Sequence, residues 1–230
     1  RVELDNFVLY DFVERCGASV PAGSRLLDAG AGDGRFQAEF AHTRYTGVDL
    51  AVGDVATDYS GLDAICTLTG LPFSSAAFDA ALCTQVLEHV PEPLQVLQEI
   101  YRVLRPGGRL FLSAPQSWHQ HQKPHDYFRY TSFGLRYLFQ RAGFVVESIE
   151  PMGGYFWFLA FQLQNMNFWL FPRDMPGRRW TWPLRVFNAV VFQVLASLVL
   201  FYLDHFDRVK DETFGYVCVA AKPAGAEDPS

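Results

Sequence analysis

A short apolar run that leads into a glycine-dense turn constrains this chain more than any other feature. Residues 25–29 read RLLDA, typical of a short buried strand, and residues 30–34 read GAGDG. Glycines let the backbone approach a ligand closely, and the N–H groups that open a following helix point at that ligand. Asp49 ends the next predicted strand, nineteen residues after Gly30, where its carboxylate can accept hydrogen bonds from both hydroxyls of a ribose. The pattern predicts a nucleotide-like cofactor.

The spacing of the glycines bears on which cofactor this is. A dinucleotide-binding fingerprint would place its third glycine at the position that Arg35 occupies, whereas this chain has Gly34. The tighter turn argues against NAD as the cofactor. A nicotinamide-dependent oxidoreductase nevertheless remains an alternative function.

Around this turn, predicted strands alternate with predicted helices, which indicates parallel βαβ units. The spacing of apolar residues predicts helices over residues 2–16, 35–41, 93–104 and 132–142, the third stopped by RPGG at 105–108 and the last capped by Thr131 and ended by Gly143. The predicted strands cover residues 25–29, 45–50, 63–68, 79–84, 109–114, 144–149 and 216–221.

An aromatic segment with little charge lies between the last two predicted strands. No charged residue occurs in 151–172 or in 186–203. From this contrast we predict two parts: a main domain over 1–153 and 211–223, and an aromatic-rich, hydrophobic helical insert over 154–210. Residues 224–230 are expected to form a flexible tail.

We predict that residues 155–203 of the insert form a helical hairpin that makes an apolar lid or a membrane-facing surface. Two membrane spans are disfavoured because the first half is short and polar in part, and because its loop would carry arginines across the membrane. Trp180 and Trp182, beside arginines, suit lipid headgroups. The alternative is that both helices cover the sheet edge or pair in a homodimer. The loop arginines are Arg173, Arg178 and Arg179, and the polar residues of the first half are Gln162, Gln164, Asn165 and Asn167.

Four segments in order carry a family resemblance: LLDAGAGDG at 26–34, GVDL at 47–50, LPFSSAAFDAALCTQVLEHV at 71–90 and PLQVLQEIYRVLRPGGRLFLSAP at 93–115. With them the chain resembles the class I S-adenosylmethionine-dependent methyltransferases, in the type 11 group that includes quinone and small-molecule methyltransferases. The resemblance implies an α/β fold with a Rossmann-like seven-stranded mixed sheet, here with the helical insert before its last strand. Residues 125–146 also resemble members that act on carbohydrates or lipid-linked intermediates.

The resemblance assigns cofactor contacts residue by residue. It implies that the three glycines surround the methionine part of S-adenosylmethionine, that Asp28 orients the turn or binds the amino group, and that Asp49 holds the ribose. The family often has an acid where this chain has Thr67, so the Thr67 hydroxyl or the Leu68 backbone becomes the adenine contact. Gln85 is expected near the transferred methyl group. The implied glycines are Gly30, Gly32 and Gly34.

Histidines follow the fourth and fifth predicted strands, at the edge of the sheet where ligands bind. A base helps when the acceptor is an alcohol or phenol, and we predict His125, His89 and Tyr130 as catalytic residues, with Tyr127 beside the acceptor. The alternatives are that His89 braces the next helix with Glu88 and that the loop around His125 only packs on the core. The chain is expected to bind no metal, although the cluster His119, His121, His125 with Asp126 is an open alternative.

Composition limits the partners. A formal net charge of −6 leaves no excess of positive charge for phosphates, so we expect no nucleic-acid partner. The scattered Cys16, Cys66, Cys83 and Cys218 suggest neither disulfides nor a zinc site, which fits a reducing cytoplasm. The first twenty residues contain no long apolar run, so we expect no signal peptide.

Together these features predict a methyltransferase that moves a methyl group from S-adenosylmethionine, leaving S-adenosylhomocysteine, to an O, N or C atom of a small-molecule or lipid-linked acceptor. It is expected to be cytoplasmic, with peripheral contact to the inner membrane face as a further expectation. A non-catalytic cofactor-binding or scaffold protein, using the aromatic insert as an interaction surface, is the alternative from another class.

Overall fold

The computed structural model describes residues 4–53, 57–172 and 175–226. These residues contain one seven-stranded sheet in the order β3-β2-β1-β4-β5-β7-β6. β1 pairs in parallel with β2 and β4, β4 with β5, and β2 with β3, whereas β7 runs antiparallel to β5. The sheet is therefore mixed, as predicted. The strands are β1 (Arg25–Ala29), β2 (Arg44–Asp49), β3 (Ala64–Ile65), β4 (Phe78–Thr84), β5 (Leu104–Pro115), β6 (Val145–Pro151) and β7 (Gly215–Ala221).

Helices connect the strands and follow from the sequence pattern. α2 begins with a proline in its first turn, and its buried residues recur on one face, which packs into the core. α3 is capped by the Thr131 side chain, which accepts a hydrogen bond from the N–H of Gly134, and ends at Gly143 with a φ of 98°. The helices are α1 (Leu4–Ser19), α2 (Pro93–Val103), α3 (Ser132–Ala142), α4 (Tyr155–Leu170), α5 (Trp182–Asn188) and α6 (Ser197–Leu203).

The central strands are buried on both faces, which explains why they read as continuous apolar runs. Four of the five residues of β1 and six of the seven of β4 are buried. The core also includes the apolar face of α2 and the inner residues of α3. Its fully buried members include Leu27, Leu82, Leu97, Ile100, Leu110 and Phe139.

Two predicted elements were wrong in detail. Residues 63–68 were expected to be a buried strand, but β3 spans only Ala64–Ile65, lies at the sheet edge and leaves Ile65 67% exposed. Residues 35–41 form only a 3₁₀ turn at Gln37–Phe40, because their backbone bonds join residues three apart.

The RPGG segment was predicted as the stop of α2, and the helix does end before it, at Val103. The segment also lies inside β5, which begins directly at the end of the helix, whereas the strand was predicted to begin at Arg109. The reason is tertiary: the N–H of Gly107 donates to the Lys222 carbonyl, and the N–H of Lys222 donates to the Gly108 carbonyl, both at 2.9 Å. Pairing with the chain after β7 thus draws these glycines into the sheet.

The described residues divide into two compact units. One comprises residues 9–150, apart from the gap at 54–56, with 215–226, and it contains the sheet and the glycine turn. The other comprises residues 4–8 with 151–214, apart from the gap at 173–174, and contains the aromatic segment. The predicted start of α1 at residue 2, Arg173 and residues 227–230 of the predicted tail lie outside the described residues.

The aromatic segment forms an antiparallel helical hairpin. α4 packs along a continuous helical run made of α5, a π-helical stretch at Ala189–Ala196 and α6. Polar side chains link the two arms: Asn167 donates to the Arg185 carbonyl, and Gln193 donates to the Gln164 carbonyl. The prediction of a hydrophobic helical insert before the last strand is confirmed.

Candidate cofactor and acceptor site

The turn after β1 is a left-handed glycine loop. Gly30, Gly32 and Gly34 have φ values of 91°, 58° and 73°, a region that L side chains rarely adopt. At Gly30 a Cβ atom would also lie 2.3 Å from the Val86 side chain, so packing alone demands glycine there. At Gly32 a Cβ atom would meet nothing within 4 Å, so free space adjoins the backbone.

Asp49 at the end of β2 faces this turn. Its carboxylate accepts hydrogen bonds from the N–H groups of Gly32 at 3.0 Å and Ala51 at 2.8 Å. The pairing of β1 with β2 brings them together, since the N–H groups of Gly30 and Ala31 both donate to the Val48 carbonyl. The structure thus brings together the two features that the sequence separated by nineteen residues.

Asp28 is buried beneath the turn, 2% exposed. It accepts a 2.6 Å hydrogen bond from the Tyr45 hydroxyl, and its other carboxylate oxygen accepts none from the described residues. Burial raises the pKa of Asp28 to about 7, against the opposing effect of the Tyr45 bond. Tyr45 could not be predicted from the sequence as the partner of Asp28, because the contact crosses from β1 to β2.

Thr67 and Leu68, the predicted adenine contacts, follow the short strand β3. The Thr67 side chain is exposed, and its hydroxyl lies 2.8 Å from that of Thr69. Leu68 is 6% exposed and belongs to the core. The hydroxyl of Thr67 is therefore accessible, whereas the side chain of Leu68 is committed to packing.

Gln85 follows β4 in a left-handed conformation, with a φ of 55°. Its side-chain amide donates to the Ser113 hydroxyl at 3.0 Å, and its backbone N–H donates to the Ser113 carbonyl. For a residue other than glycine this backbone costs energy, and such strain is common at functional sites. The neighbouring strand β5 holds Gln85 in this conformation.

The loop after β4 carries a buried acid. Glu88 is fully buried, and its carboxylate oxygens accept no hydrogen bond from another described residue. Burial raises its pKa to about 8. His89 follows, with its Nε2 3.7 Å from a Glu88 oxygen and its Nδ1 hydrogen-bonded to the His125 carbonyl. Sequence reasoning treated Glu88 only as a brace for the next helix, so its burial was missed.

The loop after β5 closes over the loop after β4. Arg129 pairs with both carboxylate oxygens of Asp126 at 2.6 and 2.9 Å, and this contact holds the pKa of Asp126 down at about 2. The N–H groups of Tyr127 and Phe128 donate to the Glu88 carbonyl. The role of Arg129 in ordering this loop could not be read from its sequence position.

The predicted catalytic residues occupy different environments. The His125 side chain is exposed, with its Nδ1 3.4 Å from the Tyr127 hydroxyl. Tyr130 is 6% exposed, and its hydroxyl donates to the Leu87 carbonyl at 2.8 Å. Burial raises the pKa of Tyr130 further above its ordinary value. The hydroxyl proton of Tyr130 is thus engaged with the backbone, whereas the His125 imidazole is open to solvent.

The histidines do not group as the sequence spacing suggested. Among the described residues, His121 joins Glu88 and His89, and one potential ligand atom of each lies within 4.8 Å of the other two. The rings of His89 and His121 are 4.6 Å apart, edge to face. The cluster that joined His121 to His119 and His125 does not appear among the groups that these residues form.

Residues 27–112 match the family described as "Methyltransferase domain". An uncharacterised methyltransferase of Mycobacterium leprae is 40% identical over 101 residues, which cover 40% of this chain and 38% of that protein. The ubiquinone biosynthesis O-methyltransferase of Xanthomonas axonopodis is 36% identical over 104 residues, covering 40% of this chain and 44% of that protein. The match thus spans less than half the length of either relative.

Solved structures resemble nearly the whole chain in fold. The [4+2]-cyclase SpnF has a TM-score of 0.59 at 22% identity and covers 96% of this chain and 82% of its own. The 1,6-didemethyltoxoflavin-N1-methyltransferase of Burkholderia thailandensis, with S-adenosylhomocysteine bound, has a TM-score of 0.57 at 20% identity. The likeness covers 94% of this chain and 78% of that one. At these identities the likeness concerns the fold.

The sheet order, the glycine turn and the matched segment agree with one another. Residues 27–112 match a methyltransferase domain, and the sheet around this segment has the α/β fold of the class I methyltransferases. S-adenosylmethionine is the cofactor of the family that this segment matches, as the sequence resemblance implied.

Proposed function

We propose that the chain transfers a methyl group from S-adenosylmethionine to an oxygen, nitrogen or carbon atom of a small or lipid-linked acceptor. The single observation that carries this proposal is the contact of the Asp49 carboxylate with the N–H of Gly32 at 3.0 Å. This contact places Asp49, the proposed hydrogen-bond acceptor for the ribose hydroxyls, beside a glycine turn whose backbone adjoins free space. These are the two parts that a nucleoside cofactor requires at the carboxyl ends of neighbouring parallel strands.

In this proposal the three glycines and Asp28 surround the methionine part of the cofactor, while Asp49 binds the ribose. Thr67 and the backbone of Leu68 border the adenine. The position of Thr67 and Leu68 supports this assignment of the adenine, because both follow closely after β3, the neighbour of β2 in the sheet.

Methyl transfer is an in-line displacement at a sulfonium carbon. The acceptor atom forms a bond to the methyl carbon, the carbon–sulfur bond breaks, and its electron pair returns to sulfur. The protein must chiefly align the acceptor, methyl and sulfur in a site with little water. We assign Gln85 to the methyl-transfer end, because the hydrogen bonds to Ser113 hold its strained backbone in place.

For an alcohol or phenol acceptor, His125 is the proposed base. Its imidazole is exposed, and its segment is anchored through the hydrogen bond from His89 to its carbonyl. We propose that His89 and Tyr130 position this region, since Tyr130 donates to the Leu87 carbonyl in the loop that precedes His89. His125→Ala should then lower methyl transfer by about two to four orders of magnitude with cofactor affinity retained. Wild-type transfer in this variant would contradict the assignment.

Calorimetric titration with S-adenosylhomocysteine tests the cofactor site. Asp49→Ala should weaken binding about ten- to a hundredfold, because the ribose hydroxyls lose a charged acceptor worth about 1.5 to 3 kcal/mol. Asp63→Ala is the matched control, since Asp63 also accepts a backbone N–H, that of Gly47 at 2.8 Å, but away from the turn. Equal affinities in the two variants, or displacement of S-adenosylhomocysteine by NAD, would overturn the cofactor placement.

A second measurement separates an enzyme from a scaffold that only binds the cofactor. Tritium supplied on the methyl group should appear in acceptors drawn from phenols, amines and lipid-linked compounds. The cyclase among the fold neighbours makes this measurement necessary, because a shared fold does not determine the reaction. Cofactor binding without transfer to any acceptor class would favour the scaffold alternative.

The hairpin supports a lipid-linked acceptor. Its buried polar side chains, such as Asn188 and Ser197 at 6% exposure each, lie between the two arms, while apolar side chains face outward. Among the described residues one helical run, Arg179–Phe206, is long and apolar enough to cross a membrane; an 18-residue window of it has a mean hydropathy of 2.2, and 11% of that window is buried. The outward apolar residues, each at least half exposed, include Trp180, Trp182, Val190, Val194, Leu198 and Val199.

We propose that this outward apolar surface lies shallowly on the cytoplasmic face of a membrane, as amphipathic interfacial helices do. Flotation with anionic liposomes measures it: Trp180→Ala with Trp182→Ala should reduce the bound fraction. Phe133→Ala is the control, because Phe133 is 83% exposed but lies on α3. Absence from the liposome fraction, together with a stable dimer in solution, would replace the membrane by a second copy of the chain.

A further inference from the structure

The buried carboxyl group of Glu88 has no hydrogen-bond partner among the other described residues. Nε2 of the neighbouring His89 is also buried and makes no hydrogen bond within the described part of the chain. Buried polar atoms are rarely left without a partner, and a bound ion is one of the recognised explanations.

The two histidines have the orientation of metal ligands. Nδ1 of His89 contacts the His125 carbonyl, which can only accept, so Nδ1 carries a proton, and in the neutral imidazole Nε2 then carries the lone pair. Nδ1 of His121 lies 3.2 Å from the His119 carbonyl and 3.7 Å from a carboxylate oxygen of Asp126. Ligating imidazoles commonly donate their other N–H to a carbonyl or carboxylate in this way.

The distances suit one ion once the side chains draw together. The potential ligand atoms of Glu88, His89 and His121 lie within 4.8 Å of one another. Ligands about 2.0 to 2.2 Å from a shared tetrahedral ion lie about 3.3 to 3.6 Å apart, so a pair at the 4.8 Å limit has to approach by about 1.2 to 1.5 Å. Arg129 holds the loop of His121 in place through Asp126, which leaves the imidazole close to the other two groups.

We propose that Glu88, His89 and His121 bind one divalent first-row transition-metal ion and leave its remaining positions open. Two imidazoles and one carboxylate form a donor set that suits Zn²⁺ or Fe²⁺ and leaves room for a water or substrate oxygen. The loops that carry the site follow β4 and β5, at the same edge of the sheet as Gln85. The ion therefore has a place beside the methyl-transfer end of the site.

The role of the ion rests on the proposed methyl transfer, whereas its binding does not. A hydroxyl oxygen of the acceptor binds the ion, which lowers the pKa of that hydroxyl, and the proton leaves to water or to His125. The oxygen then forms a bond to the methyl carbon while the carbon–sulfur bond breaks and its electrons return to sulfur. The acceptor class that this arrangement favours is an alcohol or phenol.

Metal-stripped protein titrated with Co²⁺ tests the site, because visible absorption reports histidine and carboxylate ligation without any catalysis. One Co²⁺ should bind per chain, and Zn²⁺ should displace it. Glu88→Gln, which keeps the shape of the side chain, and His121→Ala should each weaken Co²⁺ binding by about tenfold or more, since even outer-shell losses cost this much. Circular dichroism of the metal-free variants checks that both are folded.

Two control variants make the outcome specific. His42→Gln removes a histidine whose Nε2 contacts the Val20 carbonyl, and it should leave Co²⁺ binding unchanged. His119→Gln should also bind Co²⁺ normally. Stoichiometric binding that His119→Gln abolishes and Glu88→Gln does not would overturn the proposed ligand set.

Absence of stoichiometric Co²⁺ and Zn²⁺ binding in the folded protein would also overturn the proposal. S-adenosylhomocysteine binding, measured in the same samples, separates this failure from failure of the proposed function. Intact cofactor binding and methyl transfer without metal would refute the catalytic role of the ion alone, whereas the Co²⁺ titration decides whether the ion binds. Intact Co²⁺ binding without methyl transfer to any acceptor would support the ion and refute the proposed function.

Discussion

Replacing Gly32 by alanine separates two reasons for a glycine in the turn. One is the left-handed backbone conformation, and the other is the space that the cofactor needs. The residue has a φ of 58°, and a Cβ atom there would meet nothing within 4 Å. Gly32→Ala should therefore cost only the left-handed conformation, about 1 to 2 kcal/mol, with no added clash. In a domain of this size that corresponds to a fall in Tm of about 2 to 8 °C. The added methyl group would occupy space that the cofactor needs, so affinity should fall further than strain explains.

The assay is a calorimetric titration with S-adenosylhomocysteine beside a thermal melt of each variant. Gly23→Ala is the matched control for strain, because Gly23 has a φ of 77° and also meets nothing within 4 Å, in the loop before β1. Both variants should lose similar stability, but only Gly32→Ala should bind about ten- to a hundredfold more weakly. Gly30→Ala should lose more stability than either, since its Cβ atom lies 2.3 Å from Val86. Wild-type affinity in folded Gly32→Ala would refute the reasoning.

Three further predictions concern stability. The pKa of Asp28 is about 7 in the folded protein against an ordinary value of 3.8, so the folded state binds the proton more tightly, and stability should fall by about 3 to 4 kcal/mol as pH rises from 4 to 7. Urea unfolding of Asp28→Asn should lack this fall, and an unchanged slope would contradict it. Thr131→Ala removes the cap that receives the Gly134 N–H and should cost about 1 kcal/mol in urea unfolding, with S-adenosylhomocysteine affinity unchanged. Asp204→Ala removes the buried carboxylate that accepts the Gly154 N–H, so amide exchange at the start of α4 should accelerate about ten- to a hundredfold, whereas unchanged exchange would show that the cap is dispensable.

Local pattern was sufficient for much of the sheet. β1 matched its predicted residues, and β4 and β7 began one residue earlier than predicted, because strands buried on both faces must be apolar throughout. α2 was equally readable, since its buried residues recur at helical spacing after a proline. The length of the edge strand β3 was overestimated, because apolar residues do not reveal whether a second strand will pair beside them.

Part of the site could also be predicted. Asp49 and the glycine turn meet because β1 and β2 are parallel neighbours, a relation that follows from a strand, a turn and a strand in sequence. The contact of Tyr45 with Asp28, by contrast, depends on the register between these strands. The pKa of Asp28 follows from that burial and could not be read from its neighbours in sequence.

What the sequence by itself determined is the glycine turn, the match to a methyltransferase domain and the hydrophobic insert, since each rests on residues close together in the chain. Only the tertiary structure decided which histidine meets which acid. His121 was grouped with His119 and His125 from spacing, but it lies beside Glu88 and His89, more than thirty residues earlier. The reason is that β4 and β5 are parallel neighbours, so the loops after them share one edge of the sheet, and Arg129 with Asp126 folds the second loop onto the first.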